Sequence, residues 1–242
     1  MAVIVIEWSV RRIIMKVLIL NGSPKCEKSD TLHMSAAFAR GICSVSGGET
    51  EIIHTAQKHI EYCTGCFICK KTGQCVIDDD MTGILASLNE SDVVIFSFPV
   101  YCHSIPAALK VVIERTMPLS FEKIVKNEEG HYHHIEREGS KQKRFVMICG
   151  SGYPQSRDDF ELIKKTFKHT FRQCDAMITV EESPLFNIPD AKPAAGPRLE
   201  QLEAAGAEYA SNGFISDQTI QALAVPMIPE EIYMRFANGE KH

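Results

Sequence analysis

The stretch that decides the fold is KVLILNGSPKCEKSDTL, residues 16–32. Its opening run, KVLILN, is apolar on both faces of an extended chain, which is typical of a buried central strand. A polar loop follows, and from residue 31 to about 45 apolar residues recur at helical spacing. A strand, a short loop and a helix in this order predict the first unit of a parallel α/β sheet.

The same alternation continues along the chain, with Gly, Pro, Ser or Asn at each change of pattern. We expect strands at residues 16–21, 51–55, 92–97, 144–149 and 177–180, and helices at 31–45, 81–89, 106–116, 158–173 and 198–211. Right-handed crossovers put helices on both faces of such a sheet. The predicted fold is therefore an α/β three-layer sandwich around a five-stranded parallel sheet of order 2-1-3-4-5.

Three segments divide the chain. Residues 15–183 hold the predicted sheet, and residues 184–242 are expected to form a helical wrap over it or an oligomer contact. Because Met15 directly precedes the first strand, we interpret residues 1–14 as an N-terminal extension with a mis-assigned start. The charge-dense segment 122–144 is expected to be a solvated hairpin around Glu129 and Gly130. We expect its histidines, His131, His133 and His134, to face solvent instead of binding metal.

The charge balance excludes some classes of partner. The chain has 242 residues, with 26 Lys and Arg against 31 Asp and Glu, and its formal net charge is -5. An acidic surplus argues against nucleic acid and anionic membranes as partners. No apolar stretch approaches the ~18 residues of a membrane span, and Arg11 and Arg12 follow the first apolar run instead of preceding it, as they would in a secretory signal. We expect a cytoplasmic protein.

The loop after the first strand has the composition of a phosphate-binding site. Ligands of open parallel sheets bind beyond the carboxyl ends of the strands, where helix N-termini favour anions. Ser23, Ser29 and Thr31 add hydroxyl donors there, and Asp30 is expected to cap backbone N–H groups. Neither GxGxxG nor a P-loop lysine motif is present, which argues against those nucleotide folds. A polar loop with an ordinary helix cap is the alternative.

Residues 98–115, FPVYCHSIPAALKVVIER, are more specific. With the NGSPK loop and the glycines after the fourth strand, they resemble the flavodoxin-like NADPH-dependent FMN reductase superfamily, close to its iron-sulfur flavoprotein branch. The resemblance spans residues 16–173, and it implies a flavodoxin-like fold.

That resemblance also implies an FMN site spread over three loops. The residues expected to contact FMN are Ser23, Lys25, Ser29, Asp30, Thr31 and Leu32 at the phosphate, and Pro99, Val100, Tyr101, Cys102, His103, Ser104, Gly150, Ser151, Gly152 and Tyr153 around the ring. A flavin ring needs flat contacts and backbone N–H donors, which the turn at residues 100–103 can supply. Tyr101 could instead be a core residue, and His103 could simply face solvent.

The implied function is an FMN-dependent NAD(P)H oxidoreductase. Hydride from NAD(P)H would pass through FMN to an unidentified small-molecule or protein acceptor, and no catalytic side chain is expected because the chemistry is centred on the flavin. Relatives suggest a homodimer or homotetramer, and the apolar Leu185, Phe186 and Ile188 would then be covered by a partner. A non-catalytic flavin-binding regulatory protein is an alternative.

Four of the nine cysteines form a compact motif, C-x2-C-x2-C-x5-C. Its members are Cys63, Cys66, Cys69 and Cys75. The spacing resembles that of iron-sulfur flavoproteins and suits a [4Fe-4S] cluster, which would make the protein an electron carrier reduced by a ferredoxin-like donor. A loop without a cluster is the alternative, and the charges of Lys70, Lys71 and residues 78–80 favour it because they indicate an exposed loop.

Overall fold

The central feature of the computed structural model, which describes residues 14–128, 130–137, 142–171 and 174–240, is a five-stranded parallel sheet. Its strands are β1 (Lys16–Asn21), β2 (Glu49–His54), β3 (Val93–Pro99), β6 (Arg144–Gly150) and β7 (Cys174–Val180). The strand order is β2-β1-β3-β6-β7, and every pairing is parallel. Counted within the parallel sheet alone, this is the predicted order 2-1-3-4-5, so the predicted fold is confirmed.

Eight α-helices surround the sheet in the described residues. They are α1 (Asp30–Ser46), α2 (Ile68–Thr72), α3 (Met81–Glu90), α4 (Ala107–Glu114), α5 (Arg157–Thr170), α6 (Lys192–Asn212), α7 (Asp217–Leu223) and α8 (Glu230–Ala237). Apolar residues of α1, α6 and α7 pack on one face of the sheet, and those of α3, α4 and α5 pack on the other. The three-layer arrangement is therefore as predicted.

The strand bounds follow from burial and register. All residues of β1 after its first lysine are buried, as are all residues of β3 before its final proline, so continuous apolar runs mark both strands. At the sheet edge, β2 starts two residues earlier than predicted because Glu49 pairs with Lys16 while its side chain stays exposed. An apolar pattern does not reveal such a residue.

A two-stranded antiparallel hairpin, β4 (Ser120–Lys126) and β5 (Tyr132–Glu136), follows α4 and lies outside the main sheet. The predicted hairpin is confirmed, although Glu129 of its turn lies outside the described residues. The prediction that its histidines are solvated is wrong for two of them, because His133 and His134 are half-buried in β5. Residues 172–173, the end of the predicted helix 158–173, and residues 1–13 also lie outside the described residues.

The segment after β7 packs against this same chain. Leu185 is buried and Phe186 packs on the core beneath α1 and α6, so the argument that a partner must cover them is wrong. Among the described residues, no helix combines the length and apolar composition needed to cross a membrane.

Helices α1 and α6 approach each other through two glycines. A Cβ built on Gly41 would lie 1.9 Å from the carbonyl oxygen of Glu203, and one on Gly206 would lie 1.9 Å from that of Phe38. Backbone atoms cannot yield as a flexible side chain does. Any larger residue at either position must push the two helices apart.

We therefore predict that Gly41→Ala and Gly206→Ala each lower the free energy of unfolding by about 2 kcal/mol, since overpacking a close contact has costs of this order. The matched control is Gly83→Ala in α3, where an added Cβ meets nothing within 4 Å. Alanine should stabilise that helix by about 0.5 to 1 kcal/mol. Urea denaturation at a fixed FMN concentration measures all three, and equal effects at Gly41 and Gly83 would contradict the prediction.

Candidate functional site

Three loops meet at the carboxyl edge of the sheet: the β1 loop (residues 22–29), the β3 loop (100–106) and the β6 loop (151–156). The Ser97 hydroxyl donates to the carbonyl oxygen of Thr31 at 3.1 Å, and the Val100 N–H donates to that of Gly150 at 2.8 Å. A Cβ on Gly150 would lie 2.9 Å from Cγ2 of Thr31 and 2.8 Å from Cβ of Ser183. The structure thus brings together all three segments in which the sequence predicted site residues.

The β1 loop gathers buried hydroxyl groups at the N-terminus of α1. Ser23, Ser29 and Thr31 are all buried, and the hydroxyls of Ser29 and Thr31 lie 3.0 Å apart. Leu32, also buried, donates its N–H to the Ser29 hydroxyl at 3.2 Å. Hydroxyl donors beside the first turn of a long helix form a donor set that fits a phosphate group.

Asp30 does not cap α1, contrary to the prediction, because Ser29 occupies the N-cap position. The Asp30 carboxylate instead accepts from Nζ of Lys25 at 2.8 Å and from Nδ2 of Asn187 at 2.5 Å. A lysine ammonium thus offsets the negative charge that Asp30 would otherwise place beside a phosphate.

A hydrogen-bonded chain beneath the β1 loop was not found from the sequence. Nδ2 of Asn21 donates to Nδ1 of His54 at 2.8 Å and to the carbonyl oxygen of Cys26 at 3.1 Å. Nε2 of His54 therefore carries the proton, and it lies 2.8 Å from Oε1 of Glu27. Since Oδ1 of Asn21 accepts the Ser23 N–H at 3.1 Å, this chain fixes both ends of the loop. The sequence indicates this chain only weakly, through polar residues at the ends of two neighbouring strands. Asn21 and His54 are those residues, and they pair in register.

The β3 loop forms a tight turn with two consecutive left-handed residues. Cys102 and His103 have φ angles of 47° and 60°, and the backbones of Tyr101 and Ser104 exchange hydrogen bonds across the turn at 3.1 and 3.0 Å. Non-glycine residues adopt such angles at an energetic cost that functional sites commonly carry. The reading of Tyr101 as a core residue is wrong, since it is 41% exposed.

Outside the turn, α5 holds this loop. Nδ1 of His103 lies 2.9 Å from Oδ1 of Asp159, although most of the imidazole faces solvent. The half-buried Pro99, at the end of β3, pairs in register with Gly150. The β3 and β6 loops therefore start side by side.

The β6 loop is held from beneath and from the C-terminal segment. The buried Ser151 hydroxyl accepts from the Tyr153 N–H at 3.0 Å and from the Ser156 hydroxyl at 2.6 Å. The Tyr233 hydroxyl in α8 donates to the carbonyl oxygen of Gly152 at 2.6 Å. Tyr153 itself is 71% exposed, so two tyrosines, in the β3 and β6 loops, present aromatic surface at this edge.

Glu182 and Arg198 hold the residues between α7 and α8. Glu182 is 1% exposed, and its carboxylate accepts from the N–H groups of Met227 at 2.7 Å and Ile228 at 3.2 Å. Burial raises the pKa of Glu182, and these hydrogen bonds oppose that rise. Arg198 donates to the carbonyl oxygen of Val225 at 2.7 Å. No local pattern in the sequence indicates this pairing.

The cysteine loop, residues 63–75, includes α2. Cys63 and Cys66 are exposed, Cys75 is half-buried and Cys69 is buried. Burial raises the pKa of Cys69, and the other three thiols raise it further. In the described part of the chain, however, no three Cys, His, Asp or Glu side chains are arranged to hold a metal ion.

A buried arginine joins this loop to the acidic run. Arg115 is 2% exposed, and it donates to both carboxylate oxygens of Asp79, at 2.8 and 3.0 Å, and to Sγ of Cys75 at 3.5 Å. Burial alone would raise the pKa of Asp79, but the hydrogen bonds from Arg115 and from backbone N–H groups lower it overall. The expectation of an exposed acidic loop is therefore wrong at Asp79, whose side chain is fully buried.

The donor set of the cysteine loop fits an iron-sulfur cluster. Four thiols lie in one short segment, and the buried cations Arg115 and Lys70 adjoin it. A cube held by four thiolates carries net negative charge, which nearby cations stabilise. The residues are thus suited to the group in composition and charge, although the thiols do not form a preassembled metal site.

Comparisons with known proteins agree with this geometry. Residues 15–133 match the family described as NADPH-dependent FMN reductase. An iron-sulfur flavoprotein of Methanocaldococcus jannaschii is 37% identical over 116 residues, which cover 48% of this chain and 59% of the relative. One from Archaeoglobus fulgidus is 35% identical over 141 residues, 58% of each protein. The chain thus spans less than two thirds of the length of these relatives.

Two solved structures share the fold. An NAD(P)H:quinone oxidoreductase from Methanothermobacter marburgensis has a TM-score of 0.57 at 16% identity, covering 81% of this chain and 96% of its own. An FMN-dependent NADH-azoreductase from Bacillus anthracis, solved with FMN, has a TM-score of 0.54 at 17% identity, covering 82% and 98%. At such identities the likeness concerns the fold.

The family match begins at β1 and includes the β1 loop, the cysteine loop and the β3 loop. Its curated relatives all carry the name iron-sulfur flavoprotein. Over residues 15–133 the chain therefore resembles the NADPH-dependent FMN reductase family, and over about half of its length it is similar to iron-sulfur flavoproteins.

Proposed function

We propose that this FMN-dependent oxidoreductase transfers electrons between its flavin and a [4Fe-4S] cluster held by Cys63, Cys66, Cys69 and Cys75. The observation that carries the proposal is the pairing of two sites in one chain: the three loops at the sheet edge, and four neighbouring thiols beside the buried Arg115. The names of the curated relatives support it.

At the proposed flavin site, the chain's own groups would bind the phosphate and orient the ring of FMN. The hydroxyls of Ser23, Ser29 and Thr31, with the first turn of α1, are positioned to hold a phosphate. The backbone of the β3 turn and the exposed rings of Tyr101 and Tyr153 would support the isoalloxazine ring. FMN, when bound, supplies the capacity to accept a hydride and release single electrons.

At the cysteine loop, the chain supplies four ligands and a positive field. Arg115 holds Cys75 and the carboxylate of Asp79 in one buried network, which fixes the end of the loop. The cluster would supply one-electron transfer. The proposal includes a ferredoxin-like protein as the electron donor.

A second candidate is the cluster-free NAD(P)H oxidoreductase. The observation in its favour is that the thiols are not preassembled as a metal site in the described residues, while the exposed Tyr101 leaves the flavin edge open to a nicotinamide. In that function NAD(P)H is the hydride donor and the acceptor is a small molecule or protein. A homodimer or homotetramer stays a prediction under either function, as do a cytoplasmic location and the division at residues 15–183 and 184–242.

The phosphate site predicts that FMN is the bound flavin and that its affinity depends on Ser23 and Thr31. Replacing both by Ala should weaken FMN binding by about 100-fold or more, because each lost hydrogen bond to a charged phosphate contributes on the order of 1.5 to 3 kcal/mol. Titration of apoprotein, followed by flavin fluorescence, measures this. Unchanged affinity, or FAD as the main flavin released by acid, would contradict the assignment.

The cysteine loop predicts that protein purified without oxygen contains about four iron and four sulfide ions per chain. Cys63→Ser should remove the iron and its visible absorbance while FMN stays bound, since Cys63 lies outside the three flavin loops. Cys43→Ser is the matched control, because Cys43 is a half-buried thiol in α1. Iron-free protein that binds FMN and oxidises NAD(P)H would favour the second candidate instead.

The C-terminal contact predicts that Tyr233→Phe weakens FMN binding by about three- to tenfold, because the hydrogen bond to Gly152 that positions the β6 loop is lost. Tyr132→Phe, which alters an exposed hydroxyl in β5, should leave the affinity unchanged. The same titration serves both variants, and an equal effect would show that the hydroxyl of Tyr233 has no part in holding the loop.

A further inference from the structure

A cavity of about 750 Å³ lies outside the three flavin loops and beside the cysteine loop, whose Lys70 lines it. The hairpin β4–β5 covers it, and the sheet residues Phe96 and Phe145 and the end of α5 form its other walls. None of the described residues that line it is a cysteine or belongs to the FMN loops. A volume of this size is ordinary for a small-molecule site.

One side of the cavity is aromatic. The ring of Phe171, which lines the cavity after α5, lies 4.6 Å from that of Phe96 and 4.9 Å from that of Phe145, measured between centroids. Leu88 of α3 extends the same apolar wall. Flat apolar surface of this kind favours a ligand with a ring system.

Other lining residues are basic. Lys70 and Lys143 line the cavity and are both buried, and His133 and His134 stand beside them, whereas Glu136 is the single carboxylate among the described lining residues. Nζ of Lys70 donates to the Ser120 hydroxyl at 2.5 Å. Within the described chain no carboxylate forms an ion pair with Lys70, so its buried charge has a neutral partner there.

A second observation also indicates a ligand. His134 lines the cavity, and its buried Nδ1 has no hydrogen-bond partner among the described residues. Buried polar atoms in proteins are nearly always paired, so an unpaired one in a residue of a cavity wall indicates a place where a bound polar group would be stabilised.

We propose that this cavity binds a small carboxylic acid with a planar aromatic ring. Its ring lies against Phe96, Phe145 and Phe171, and its carboxylate faces Lys70 and His134. The aromatic wall accounts for the ring, and the buried ammonium of Lys70 accounts for the acid. Lys70 directly follows Cys69, and Arg137 donates to the carbonyl oxygens of both, so the occupied cavity adjoins the cysteine loop.

The ligand class is tested by calorimetry with the full-length, FMN-loaded protein, in which the flavin site is already filled. The probes are 2-naphthoate, 2-naphthalenemethanol and 2-naphthylmethylamine, which share one ring and differ in charge. The acid should bind once per chain, the alcohol about tenfold more weakly, and the amine not at all. Equal binding of acid and alcohol, or release of FMN by the acid, would overturn the proposal.

The location is tested by two substitutions in one strand. Val125 lines the cavity, and its neighbour Ile124 is 59% exposed on the other face of β4. Val125→Trp should fill the cavity and abolish naphthoate binding, while Ile124→Trp should leave the dissociation constant unchanged. Identical binding by both variants would place the ligand elsewhere and overturn the proposal.

A third variant keeps the test decisive if Val125→Trp fails to fold. Glu136→Gln removes the one carboxylate of the described wall from an exposed position. It should tighten naphthoate binding by about two- to threefold, because a repulsive charge is lost. Unchanged or weaker binding in this variant would overturn the proposed orientation of the acid.

Discussion

The arrangement of the proposed flavin site depends on the absence of a side chain at Gly150. A Cβ added there would meet Thr31, at the start of α1, and Ser183, which follows β7. A methyl group there would separate the helix that offers its N-terminus to the phosphate from the strand that leads into the β6 loop. The close contact joins the start of α1, the end of β6 and the segment after β7. The hydroxyls of α1 and the turn after β3 therefore keep fixed positions relative to each other.

Much of this edge could be predicted because its signals are local. β1 and β3 are buried on both faces and appear in the sequence as continuous apolar runs. The residues of each loop that follows them are contiguous, so their types can be seen directly in the sequence. The partner of Glu182 could not be predicted, since its carboxylate meets backbone N–H groups more than forty residues away. The same holds for Asp79, whose burial depends on its ion pair with Arg115 at the end of α4. Contacts between residues so far apart in the sequence produce no periodic pattern from which they could be predicted.

Buried charge has different consequences in different parts of this molecule. Arg115 and Asp79 are paired with good geometry, so removing either partner would leave the other desolvated and cost far more than the pair contributes. The ordering of residues 75–79 is therefore the main effect of that pair. Among the described residues, the buried ammonium of Lys70 has a hydroxyl as its hydrogen-bond partner, and proteins seldom bury a charge with so little compensation. Lys70 lies within the cysteine loop and Arg115 contacts its end at Cys75, so both place positive charge beside its sulfur atoms.

If FMN binds at the three loops as proposed, the contact between Tyr233 and Gly152 couples the tail of the chain to cofactor binding. Residues 223–233 are held by Arg198, by Glu182 and by the β6 loop, so detachment of the tail releases a loop that the flavin would otherwise find in place. Flavin occupancy and tail docking must then favour each other by the same free energy in both directions. Loss of cofactor is consequently also a step toward exposing the C-terminal segment to proteases.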